Sequence, residues 1–221
     1  MSRYKYGMLL SAQLLLSFIS PLFSHTSYAR SFIDLGISAV FITAIFVISN
    51  TKRHLIIGLM LMIPTLTLTW GIKLYQVDHM ALITLVGSTL FFCYIAGLIL
   101  VDIFRTKMVT LDIIAAGISV YLFFGNICGF MFAIIGHVDP NAFSIPETTA
   151  SYLGNLDNLS SAMYFSFVTL TTLGYGDITP INDFARSLAF LEAAMGQIYL
   201  TVLIASLVGV HISSSHNGGH S

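Results

Sequence analysis

The sequence predicts an all-α membrane protein. It has six transmembrane helices and, between the fifth and sixth, a short re-entrant helix followed by a loop. Three observations carry this. The 221 residues are 56% hydrophobic and 9% charged, where a soluble domain carries about 25% charged residues. Six apolar runs approach or exceed the roughly 20 residues a helix needs to cross the hydrocarbon: 8–23, 32–49, 55–73, 79–101, 110–136 and 184–211. The segment between the last two, 137–183, differs in character, with Pro140, Pro146, Pro180 and the stretch TLTTLGYGDITP at 169–180.

Short polar breaks separate the first five runs: SHTSYARS, NTKRH, KLYQVDH and DIFRTK. Pro64 lies inside the third and is expected to kink it. The fifth and sixth runs exceed the membrane thickness, so they tilt or project into water. With a cytoplasmic N-terminus, Arg3, Lys5, Lys52, Arg53, Arg105 and Lys107 fall inside and Arg30, Lys73 and Arg186 outside. That division follows the positive-inside rule and puts the C-terminus inside as well. Residues 1–29 also fit a secretory signal, with a basic start, the run MLLSAQLLLSFI and then SYA before Arg30. Cleavage there would leave five spans in the same orientation. The short loop to the second span favours retention.

Within 137–183, Asp157 and Asn158 are good N-caps for LSSAMYFSFVTLT. That run is too short to cross a bilayer. Next come TLGYGD, a turn at ITPIND, and the last span. Glycine and proline disfavour helix, so TLGYGD is backbone placed outside one. Bare backbone at membrane depth is tolerated only where protein buries it or where it lines a water-filled cavity.

The segment TTLGYGD resembles the selectivity-filter signature of potassium channels, which is usually spelled TVGYG. The resemblance covers about 108–212 as outer helix, pore helix, filter and inner helix. Within this pore-loop family the chain resembles a six-span, prokaryotic, non-voltage-gated member with a two-helix pore module. The resemblance implies that the carbonyls of Thr172, Leu173, Gly174 and Tyr175 hold K+ on an axis, with the Thr172 hydroxyl at the inner end and Gly176 closing the strand. Carbonyls face one way only if alternate residues take unusual dihedrals, which Gly174 and Gly176 do without a Cβ penalty. Tyr175 is expected to turn away from the pore against the pore helix, with Tyr164 and Phe165 as neighbours and Asp177 bonded into the same cuff. Leu173 stands where valine is usual and lacks its β-branch stiffness. One chain supplies one filter strand, so four copies are implied, a homotetramer.

The last span would line the inner cavity. Gly196 resembles the family's hinge glycine, and close packing of a small residue explains it as well. Glu192 is a carboxyl inside a membrane helix, costly unless paired, and is assigned to support behind the filter or pore helix. Thr201 and Ser206 face the cavity or bond their own helix. A voltage sensor needs repeated arginines, about three to four gating charges. The fourth span, HMALITLVGSTLFFCYIAGLILV, has no Arg or Lys.

These readings divide the chain into a sensor-like four-helix domain without gating arginines (1–105), a pore domain (106–212) and a disordered tail (213–221). His211, His216 and His220 at the end are glycine- and serine-flanked. Asp139, Glu147 and Asp157 make the outer loop uniformly acidic, a mouth that concentrates cations in four copies. Cys93 and Cys128 sit in apolar runs and read as core residues, not a disulfide or metal pair. A net charge of -1 gives no nucleic-acid partner. No Walker A, HExxH or GxSxG motif is present, so no enzyme, nucleotide or cofactor is expected beyond permeant K+. The expected function is a passive, potassium-selective channel, not voltage-gated, in a plasma or bacterial inner membrane. A weakly selective cation channel and a non-conducting scaffold are the alternatives.

Overall fold

A computed structural model describes residues 4–22, 29–49, 51–75, 79–106, 110–146 and 159–217. A helix stands at each of the six predicted runs. They are α1 (Lys5–Leu22), α2 (Ala29–Ile48), α3 (Lys52–Tyr75), α4 (His79–Arg105), α5 (Leu111–Val138) and, last, α7 (Asp183–Asn217), with the short α6 (Leu159–Leu170) before it. Among the described residues, Lys52–Gly71, Met80–Arg105, Leu111–Val138 and Asp183–Ser206 are long and apolar enough to cross a membrane. α3 continues through Pro64. α7 runs five residues into the expected tail, to Asn217, and the next two residues are Gly218 and Gly219. Asp157 and Asn158, the expected caps of α6, lie outside the described residues.

The core is aromatic and continuous from α2 through α4 into α5. Phe41 stacks on Phe91 with centroids 4.2 Å apart, and Phe92 meets Phe123 at 4.8 Å and Phe130 at 5.5 Å. In lipid no hydrophobic force drives helices together, so such packing must hold them. Each aromatic pair contributes about 0.5–1.5 kcal/mol beyond area burial. The packing crosses the expected boundary at 105/106, because α1, α2, α4 and α5 share this one cluster.

Polar contacts fasten α1 to the end of α4 and to the start of α5. The Asp112 carboxylate accepts from Tyr6 N and Gly7 N, both at 3.0 Å. It thereby satisfies two of the N–H groups that the start of α1 leaves without helical partners. Lys5 Nζ pairs with Asp102 Oδ2 at 3.2 Å, and the Tyr6 hydroxyl donates to the same oxygen. Deeper in, Gln13 Nε2 donates to Ser119 O at 3.3 Å. Asp112→Ala is expected to cost about 1–2 kcal/mol, the worth of a helix cap, with Asp112→Asn milder. Thermal unfolding of the purified protein checks this. An unchanged midpoint would mean that packing alone holds α1.

A small antiparallel pair closes the region ahead of α7. β1 (Phe143–Ser144) pairs with β2 (Thr179–Pro180) in the register Phe143↔Pro180 and Ser144↔Thr179. The chain therefore leaves α5 and re-enters α7 at neighbouring points. Asn182 Oδ1 caps α7 by accepting from Ala185 N at 2.7 Å.

Candidate ion-conduction site

α6 lies wedged between α5 and α7, a 12-residue helix that ends at Leu170. Glycines on α5 make room for it. A Cβ at Gly125 would stand 2.6 Å from Phe167 Cε1, and one at Gly129 2.5 Å from Met163 Sδ. Further along the same helix, Phe132 meets Phe165 of α6 at 4.8 Å, and Phe143 of β1 meets Phe165 at 5.5 Å, both edge to face.

Beyond α6 the backbone alternates in hand. Thr172, Gly174 and Gly176 have φ of +57°, +58° and +76°, and Thr172 is the only non-glycine residue with positive φ among the described residues. A non-glycine residue there costs about 1–2 kcal/mol. Leu173 N and Gly174 N both donate to Val168 O, at 3.0 and 3.3 Å. The N–H groups of Leu173 and Gly174 thus turn toward α6.

Residues 118–212 match the ion channel family. This segment is similar to pore-loop ion channel domains, those of potassium channels among them. Its relatives include protein LctB of Bacillus caldotenax, 33% identical over 78 residues, 35% of this chain and 58% of the relative. LctB of Geobacillus stearothermophilus is 33% identical over 63 residues, 28% and 46% of the two chains. Two pore potassium channel c of Oryza sativa subsp. japonica is 32% identical over 65 residues, 29% and 14%. The matched part thus spans between 14% and 58% of these relatives' own lengths. No solved structure matches the chain. With its apolar helices and ion channel match, the protein is a multi-pass membrane protein.

Within the channel domain, the structure brings part of the expected cuff together. The Tyr164 hydroxyl donates to Asp177 Oδ2 at 2.7 Å, joining the pore helix to the end of the loop. Phe165 is placed elsewhere, in the Phe132–Phe143 cluster. Successive helix residues point about 100° apart, so Tyr164 and Phe165 cannot serve one neighbour. Tyr175 and Leu173 are exposed on the single chain, at 66% and 55%.

Glu192 is buried behind the pore helix. The Ser166 hydroxyl lies against Glu192 Oε1 and 2.6 Å from Gly125 O. One hydroxyl thus joins α5, α6 and α7. Glu192→Ala should unfold at lower temperature than wild type, by about 2–5 kcal/mol for the cavity and the lost bond together, and Glu192→Gln should fall between them. Equal midpoints for Ala and wild type would remove Glu192 from filter support.

Gly196 sits where α7 passes close to the end of α6, a built Cβ standing 2.7 Å from Leu170 O. α7 is unbroken through this point. Thr201 and Ser206 both donate to their own helix, to Gln197 O at 2.8 Å and Val202 O at 2.7 Å. Of the acidic loop, Asp139 accepts from Asn141 N and Asn182 Nδ2, both at 3.0 Å, so it holds the loop to the start of α7. Glu147, Asp157 and His220 lie outside the described residues, as do the side chains of His211 and His216. Among the described residues no His, Cys, Asp or Glu cluster is fit to hold a metal.

Sequence reasoning missed several anchors. The Tyr199 hydroxyl donates to Gly117 O at 2.7 Å and the Tyr121 hydroxyl to Leu170 O at 3.3 Å, tying α5 to α7 and to the end of α6. Ser166 was visible as a polar residue in an apolar helix, but its partner lies 26 residues on.

Proposed function

We propose that four copies of this chain assemble around one axis as a potassium-selective channel that conducts passively and is not voltage-gated. The observation that carries it is the alternation of positive φ at Thr172, Gly174 and Gly176, with the N–H side of the strand bonded back to Val168 O. Four such strands would present rings of carbonyls from Thr172, Leu173, Gly174 and Tyr175, replacing the water that K+ sheds. A relative named as a two pore potassium channel supports the choice of ion.

In this reading all six long helices span the membrane, with both termini cytoplasmic, in a plasma or bacterial inner membrane. Residues 1–105 form a collar without gating arginines, and 106–212 form the pore. Tyr175 and Leu173, exposed on one chain, are covered by neighbouring copies. K+ is the only ligand required. A weakly selective cation pore is the second reading, favoured by Leu173 in place of the stiffer valine.

Reconstituted liposomes test the proposal. K+ efflux well above Na+ efflux, with a four-chain mass in native mass spectrometry, is expected. Equal fluxes favour the second reading. A monomeric mass without flux would leave a membrane scaffold.

A further inference from the structure

We propose that the groove between the C-terminal parts of α4 and α7 binds an anionic phospholipid, with one acyl chain in the groove and the headgroup phosphate on Arg105. The site needs only the multi-pass membrane fold, not ion selectivity or a tetramer. Leu100, Ile103 and Phe104 form one wall, and Tyr199, Val202 and Leu203 the other, with Ser206 at its end. Two apolar spans finish here together, Met80–Arg105 and Asp183–Ser206. Arg105 therefore stands where hydrocarbon gives way to headgroups, one residue beyond the wall at Phe104. A long basic side chain at that level reaches out to the headgroups.

Among the described residues Arg105 has no acidic partner; the ion pairs there are Lys5–Asp102 and Arg186–Asp183. Asp102 lies three residues before Arg105, yet it is turned to α1, where it also accepts from the Tyr6 hydroxyl. Asp112, at the start of α5, is held by Tyr6 N and Gly7 N. α7 carries no acidic residue beyond Glu192. Lys52 and Arg53 open α3 at the same end of the bundle and add to the positive field. A phosphate is the complement of a guanidinium left free in this way.

The groove selects what accompanies the phosphate. Its two hydroxyls are both committed, Tyr199 to Gly117 O and Ser206 to Val202 O, each at 2.7 Å. Neither has a hydrogen left to give. A peptide or a sugar would bury polar groups here without partners, which is costly in hydrocarbon; an acyl chain buries none. A second copy of the chain fits less well. Its α7 brings no acid to this level, so Arg105 would be covered and left uncompensated. A lipid supplies apolar chain and negative charge in one molecule. In place, it fastens the C-terminal part of α7 to α4.

Tryptophan fluorescence with brominated lipid tests this. The chain has one tryptophan, Trp70, on α3. The double variant Trp70→Phe, Phe104→Trp moves the reporter to the rim of the groove, where residue 104 is exposed. The full chain is reconstituted in vesicles of brominated phosphatidylcholine mixed with phosphatidylglycerol. Relief of quenching reads which lipid sits beside the tryptophan. At position 104 phosphatidylglycerol should be preferred about fivefold, the weight of one basic residue beside an anionic headgroup. Adding Arg105→Gln should bring the ratio near one. Adding Arg53→Gln should leave it, and Trp70 in the wild-type chain should show no preference. Full preference at 104 after Arg105→Gln, equal loss with Arg53→Gln, or the same preference at Trp70 would overturn the proposal. So would a tryptophan at 104 that brominated lipid does not quench, the result for a groove covered by a second copy. None of these readings depends on K+ flux, so the channel proposal stands or falls separately.

Discussion

Gly174→Ala is expected to abolish potassium-selective current. Gly174 has φ +58°, and its neighbours in the alternation, Thr172 and Gly176, share the left-handed region. Nothing lies within 4 Å of a built Cβ at Gly174, so the penalty on the single chain is dihedral and not steric. An L-residue there costs about 1–2 kcal/mol, and four copies would bring about 4–8 kcal/mol to one site. The strand escapes this by turning a peptide plane, which swings a carbonyl off the axis and removes a ring from the proposed filter. The single chain should still fold, because nothing in it lies within 4 Å of a Cβ built there. Current under a K+ gradient is the measurement, with oligomer mass as the control. Normal selective current in the variant would show that the backbone does not need this conformation to conduct.

Gly196→Ala should lower both thermal stability and open probability. The added Cβ would stand 2.7 Å from Leu170 O and 2.7 Å from Leu170 Cδ1. The side chain can move, but the carbonyl belongs to the last residue of the pore helix, next to the filter strand. Overpacking of this kind costs about 1–3 kcal/mol at each site. Relief requires α7 to withdraw from α6, which also loosens Glu192 from Ser166 one turn away. A pure hinge behaves differently, with open probability shifted and the unfolding midpoint kept. Measuring both on one preparation separates packing from hinge.

Much of this architecture was legible in the chain because it depends on local rules. Span length and polarity located the six long helices, and the brevity of 159–171 marked a helix that does not cross. Gly174 and Gly176 marked a segment outside the helices, since a positive φ selects glycine. Contacts between distant residues were not legible. Asp112 caps α1 through Tyr6, 106 residues earlier, and nothing in either stretch announces it. Glu192 was recognisable as needing a partner, yet only the fold identifies Ser166. Tyr164 and Phe165 looked equivalent beside the loop, and helix geometry sends them to different neighbours. Thr172 carries its strain without a sequence mark, because its φ is imposed by the strand on either side.

The most direct test of the central claim is the reversal potential of the purified protein in a planar bilayer, with K+ on one side and Na+ on the other. A reversal far from zero, on the side set by K+, is the predicted result. A current that reverses near zero would contradict it, leaving a general cation pore whose filter is loosened at Leu173.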